Sequence, residues 1–150
     1  MKREIVTYLP LLRKKSDVVM PNDVDLPTII QDLKDTVGTG LGLAANQIGV
    51  LKRVFIVKSV LAGEDKLEDK VFINAQIIEK YGKQVIKESC LSLPGLEVLV
   101  DRAIEVVVEY ENETREFHRD SFNGLTAIAI QHEIAHIMGK TIIDDKHKKK

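Results

Sequence analysis

Between Leu125 and Gly139 the chain sets Leu125, Ile128, Ala129, His132, Ala135, His136 and Gly139 at helical spacings, while Ile130, Ile134 and Ile137 fill the remaining faces. A helix that is apolar nearly all round belongs in an interior, so the rest of the chain has to be wrapped over it. That helix carries His132-Glu133-Ile134-Ala135-His136. Residues four apart lie one turn above each other, so the two imidazoles aim at a common point. Glu133 sits about 100 degrees round from His132, badly placed as a third ligand but well placed to handle protons on a metal-bound water. The third ligand has to come from elsewhere. Cys90, the only cysteine, stands 42 residues (132 − 90) before His132 and supplies a thiolate.

Each of these residues also has an ordinary structural reading. Two histidines on an apolar face can be hydrogen-bonded core residues, and a lone cysteine is often a small buried hydrophobe. The convergence of all three on one spacing favours a metal. One cysteine forms no internal disulfide, which fits a reducing compartment and leaves the thiol free. The 150 residues, with 44% hydrophobic content and a net charge of −1, suit one globular domain over residues 1–150. No apolar run reaches membrane-spanning length, and the segment after Met1 lacks a secretory hydrophobic region, so the expectation is a cytoplasmic protein without membrane contact. The charge balance does not suggest specific nucleic-acid binding. The basic run Lys146 to Lys150 reads as a solvated, frayed end.

Ile29, Ile30, Leu33 and Val37 form an amphipathic stripe, opened by Pro27 and stopped by Gly38, which predicts a helix over 26–37. After a run rich in Gly and Ala from Gly38 to Gly49, short β-branched segments predict strands at 53–57, 71–74, 76–81, 84–88 and 104–110. Glu111-Asn112-Glu113 reads as a hairpin loop with its return strand at 114–118. Ser121 or Asn123 is the expected cap of the histidine helix and Gly139 its stop. The fold class is α+β, with largely antiparallel sheets around a central buried helix and a second helix near the N-terminus. The Gly-rich run lacks the Lys-Ser/Thr pair of a phosphate-binding loop, so a peptide-binding edge is the better reading.

Three segments together resemble the motifs of peptide deformylases in order and spacing: Gly40-Leu41-Gly42-Leu43-Ala44-Ala45-Asn46-Gln47, Glu88-Ser89-Cys90-Leu91-Ser92-Leu93-Pro94-Gly95, and Gln131 to His136. The likeness runs from Leu9 to Lys140. It implies an enzyme that removes the formyl group from the N-terminal formylmethionine of newly made proteins and releases formate. The ligand set it implies is Cys90, His132 and His136. The cofactor is then one divalent transition metal ion; the resemblance favours iron(II), while thiolate with imidazole also suits zinc, nickel or cobalt. Three protein ligands leave a position for water, with Glu133 as base and then acid. The likeness gives the oxyanion-stabilising role to the Gln47 side chain and the Leu91 backbone N–H. It gives peptide binding to Gly42 and makes Leu41, Ile86, Leu125, Ile128 and Ala129 the wall of the methionine pocket. Glu88 is expected to orient a liganding histidine. The implied partners are formylmethionyl nascent peptides, with a transient ribosome contact.

Two positions depart from the family pattern. Ser89 stands where the family usually has Gly, and Ala135 where it usually has Asp. Ser89 is costly if that backbone needs a glycine-only conformation, and Ala135 withdraws a carboxylate that would face a buried cation such as Arg102. Both departures bear on efficiency. They keep a second reading open, a deformylase-fold protein that binds metal or peptide with weak or no turnover. A third is a small HExxH metallopeptidase, against which Cys90 and the Gln47 segment weigh.

Overall fold

The computed structural model describes residues 1–60 and 67–148. Its elements in chain order are a single helical turn α1 (Leu9–Leu12), α2 (Leu26–Thr36), β1 (Gly42–Ala44), a 3-10 turn (Ala45–Ile48), β2 (Val54–Val60), β3 (Leu67–Tyr81), β4 (Gln84–Cys90), β5 (Leu93–Arg102), β6 (Glu105–Glu111), β7 (Phe117–Asn123) and α3 (Gly124–Ile137). Every strand pairing is antiparallel. Five strands form one sheet in the order β1-β2-β3-β6-β7, and β4 and β5 form a separate hairpin. This is the α+β architecture the sequence predicts.

Strand alternation explains why the sheet has a helix on each face. Val54, Ile56, Val71 and Ile73 pack with Ile29, Ile30 and Leu33 of α2. Their neighbours Phe55, Val57 and Phe72 point the other way, onto Ala127, Ile130 and Ile137 of α3. Residues 54–57 are therefore buried without interruption, as a strand covered on both faces must be. Phe72 stacks at 5.0 Å on Phe55 and tilts at 4.5 Å against Tyr110, which fills the layer under α3.

Several local expectations are corrected. The segments 71–74 and 76–81 are one strand, β3. It reads as two because it slips register against β6 between Ile73 and Gln76, where Asn74 adopts φ 51. The Asn74 side chain holds the bulge by accepting from the Val19 N–H at 2.8 Å and donating to the Val19 carbonyl at 2.9 Å. The return strand of the second hairpin begins at Phe117, not Thr114. Asn112 Oδ1 accepts from the N–H groups of Thr114 and Glu116 and so prolongs the turn. Ser121 lies inside β7, paired with Val107, and does not cap the helix. Asn123 occupies the cap position but makes no side-chain cap bond.

Gly139 follows α3 with φ +79, the left-handed stop expected of it. The basic end is tied down as far as His147. Lys146 bridges to Val100 on the edge of β5, and His147 donates its N–H to the Leu99 carbonyl at 2.7 Å. Lys149 and Lys150 lie outside the described residues.

Candidate metal centre

Helix α3 delivers His132 and His136 side by side, with ring centroids 5.0 Å apart. The end of β4 delivers Cys90 to the same point. Cys90 Sγ is 3.4 Å from His136 Nε2, and one donor atom from each of Cys90, His132 and His136 lies within 4.8 Å of the other two. A tetrahedral ion with thiolate at about 2.3 Å and imidazole at about 2.0 Å would hold those two atoms about 3.5 Å apart. The donor set therefore fits a transition metal in both chemistry and spacing.

An ionic chain anchors His132 from behind. Its Nδ1 lies 2.8 Å from Glu88 Oε1, so Nε2 is left to face the cluster. Arg102 forks onto Glu88, with Nε to Oε2 at 2.7 Å and a second guanidinium nitrogen to Oε1 at 2.8 Å, and its third nitrogen donates to Asp145 Oδ2 at 2.8 Å. Burial would raise the Glu88 carboxyl, but the bonds from His132 and Arg102 outweigh it and hold the group below its ordinary range. Burial likewise opposes charge on His132, yet the neighbouring Glu133, Cys90 and Glu88 raise it to about 10. His136 is pushed down to about 3 by burial and by the charge on His132. Either imidazole can bind a metal only through an unprotonated nitrogen, so metal affinity at this cluster falls with acid.

Glu133 is 2% exposed, and its Oε1 has no hydrogen-bond partner among the described residues. Burial raises its carboxyl to about 7, against the opposing pull of His132. A Cβ at Gly42 would sit 2.8 Å from Glu133 Oε2 and equally close to the Ile56 carbonyl, so glycine there lets strand β1 approach the carboxylate. That requirement is separate from any hydrogen bond to a peptide.

The 3-10 turn after β1 brings in Gln47, whose Oε1 accepts from the Ala44 N–H at 3.0 Å. Its Nε2 donates to Ser92 Oγ at 3.1 Å and lies 3.7 Å from Cys90 Sγ. On the same turn Asn46 Nδ2 donates to the His136 carbonyl at 2.9 Å.

A cavity of about 590 Å³ opens onto this cluster. Leu41, Gly42, Ile86, Glu88, Ser89, Leu91, Leu125, Ile128 and Ala129 all line it, beside Gln47, Cys90, His132 and Glu133. Ala129 is its buried floor, whereas Leu125 is 67% exposed and Leu41 48% exposed, which puts them at the mouth. Ser89 lies in β4 without a positive φ, so its backbone does not need glycine. Arg102 is already compensated by Glu88 and Asp145, and Ala135 leaves it no unpaired charge.

Ser92, Asp145 and Asn46 are structural participants that motif reading passes over. The signal for Asn46 is two adjacent polar residues, Asn46 and Gln47, in an otherwise apolar run. Asp145, more than forty residues from Arg102, leaves no local signal.

The family model described as polypeptide deformylase matches residues 2–150. This chain belongs to the peptide deformylase family. A peptide deformylase of Karelsulcia muelleri is 40% identical over 137 residues, 89% of this chain and 72% of that one. The peptide deformylase of Aquifex aeolicus is 39% identical over 147 residues, covering 96% and 87% of the two chains. Among solved structures, a peptide deformylase from Legionella pneumophila superposes with TM-score 0.87 at 36% identity over 98% of this chain and 87% of that one. The Thermotoga maritima peptide deformylase superposes with TM-score 0.86 at 30% identity over 99% of both. In this deformylase chain Cys90, His132 and His136 form a group whose donor atoms lie close enough together to hold a metal ion. Among the described residues no helix is long and apolar enough to cross a membrane.

Proposed function

We propose that this chain removes the formyl group from the N-terminal formylmethionine of newly synthesised proteins and releases formate. The observation that carries the reading is the meeting of one thiol, two imidazoles and the Glu133 carboxyl at a cavity of about 590 Å³, room for the end of a peptide, in a chain of this family. The resident ion is divalent and held by Cys90, His132 and His136. Iron(II) is the favoured metal, and zinc, nickel and cobalt suit the same donors. When bound, such an ion makes water acidic near neutral pH and polarises a carbonyl.

The protein groups do the rest. Glu133, with a carboxyl near neutrality and a free oxygen, takes the proton of the attacking water and returns one to the departing amine. Gln47 keeps its carbonyl on Ala44, which aims its Nε2 hydrogens across the site; the long contact to Cys90 leaves one of them for the formyl oxygen. The Leu91 N–H is the second donor to that oxygen. Ile86, Ile128 and Ala129 hold the methionine side chain, with Leu41 and Leu125 at the entrance, and Gly42 and Ser89 flank the peptide backbone. Glu88 fixes the His132 ring.

The partners are formylmethionyl nascent chains in the cytoplasm, with transient contact to the ribosome. Lys15, Lys80, Lys83 and Lys140 support that contact by rimming a second cavity behind α3, away from the catalytic cleft. The test is anaerobic formate release from short formylmethionyl peptides by the iron(II)-loaded protein. Catalysed release is expected. Release at the uncatalysed rate on several such peptides would sink the reading.

A further inference from the structure

His132 and His136 are supported unequally. Glu88 holds the outer nitrogen of His132, whereas His136, with no exposed surface, has a buried Nδ1 with no partner among the described residues. Its Nε2 faces Cys90, so Nδ1 is the nitrogen that carries the proton when Nε2 ligates. A buried N–H demands an acceptor, and a metal-ligating histidine almost always has one. Three other buried side-chain atoms also lack partners: Glu133 Oε1, Ser16 Oγ and Asn46 Oδ1. Glu133 belongs to the chemistry. Asn46 is already fastened to the right place, because its Nδ2 donates to the carbonyl of His136 itself at 2.9 Å. Its Oδ1 sits on the same rigid amide. Ser16 reaches the same helix turn by donating its N–H to the Ile137 carbonyl at 2.9 Å.

We infer that Asn46 is the positioning residue of His136: its Nδ2 grips the helix carbonyl, and its Oδ1, which makes no direct bond to Nδ1, answers the Nδ1 proton across one bridging water, so that Nε2 is held toward the metal. This rests on the metal-site reading above. A neutral amide suits the position. A carboxylate here would press a buried negative charge against the His136 carbonyl that Nδ2 now holds, whereas Asn donates to that carbonyl and still offers an acceptor. The arrangement also gives the 3-10 turn one purpose for both polar residues: Gln47 faces the cysteine side of the cluster and Asn46 the histidine side. Flanking Ala45 and Ile48, both buried, hold that turn in the core, so neither amide has to be ordered when metal arrives.

The experiment uses zinc-loaded protein with 15N-labelled histidine. In the wild type the His136 ring is expected to be protonated at Nδ1, with a proton protected from exchange, and unprotonated at Nε2. Asn46→Leu, of similar volume but without polar atoms, is expected to lose that protection and to release zinc to a competing chelator about 10- to 100-fold more readily, with the His132 signals unchanged. Asn46→Thr, whose neutral hydroxyl can donate or accept, is expected to recover part of the protection and covers the case in which Asn46→Leu does not fold. The proposal is overturned by a wild-type His136 protonated at Nε2, by an Nδ1 proton that exchanges freely, or by a folded Asn46→Leu with wild-type zinc retention and ring signals. Wild-type protein that takes up no zinc would instead overturn the metal-site reading, and protein that takes up zinc but makes no formate with iron(II) would overturn the proposed activity alone.

Discussion

Glu133 shows how one side chain's surroundings set its chemistry. The same burial that leaves its Oε1 unpartnered lifts its carboxyl to about 7, close to where a group that takes and returns a proton works best. Glu133→Gln keeps the volume and removes the basicity, so metal content should stay while turnover falls by about 100-fold or more. Elemental analysis beside formate release checks both halves, and wild-type turnover would strip Glu133 of its role. Ser89 and Ala135 raise the reverse question, whether a departure from pattern does harm. Ser89 sits on ordinary strand backbone, and Asp145 already answers Arg102. An added carboxylate at Ala135 would border the cavity that Arg102 and Asp145 share, where the negative charge is in place. Ala135→Asp is therefore expected to leave zinc retention within about threefold and to change stability by less than about 1 kcal/mol, because the half-buried position opens on a cavity rimmed by lysines. A tenfold gain in retention would show that the position does need its acid.

The element that organises the site is α3, and its end is set by a single glycine. Gly139 takes φ +79, and a Cβ there would stand 2.6 Å from the Arg13 carbonyl just after α1. Gly139→Ala combines a left-handed strain with a backbone clash, so it should destabilise the fold by more than about 1 kcal/mol, read as a lowered midpoint in urea. A neutral result would mean that the α1 segment moves away freely. This element was readable from sequence because its period, ligands and stop signal all agree. The long strand β3 was not, since a bulge at Asn74 is stabilised by Val19, a partner 55 residues away. Strand β5 was also missed. Its Leu93-Pro94-Gly95 start imitates a loop, while the pattern that makes it a strand depends on pairing with β4. The meeting of Cys90, His132 and His136 was legible because residue type and spacing encode it. The supports behind them, Arg102 to Asp145 and Asn46 to His136, connect distant segments and become visible only after folding.

At the scale of the whole molecule, the cluster of Cys90, His132 and His136 brings the β4–β5 hairpin, which forms a sheet of its own, against α3, and an ion held there would join the two. Among the described residues, the hairpin is also tied to α3 through Glu88 and to the C-terminal segment through Arg102 with Asp145, Asp101 with His147 at 2.7 Å, and the backbone of Leu99 and Val100. Two consequences follow for stability. Glu88 has a folded pKa below its ordinary 4.5, so its contribution is present above about pH 4.5 and is lost as pH falls through the folded value. The ligand histidines and the thiol must be unprotonated to hold an ion, so metal is released on the same descent. Acid should therefore remove both ties together. At free metal about 1,000 times its dissociation constant, binding adds about 4 kcal/mol, which for a chain of this size raises the melting temperature by on the order of 10 °C. Thermal melts at pH 7 with zinc and with chelator should differ by about that much, and the gap should close as pH is lowered toward 4. Cys90→Ala should show almost no gap at any pH. A gap that persists in Cys90→Ala, or that is unchanged at pH 4, would mean that the metal does not join the hairpin to the helix through these three ligands.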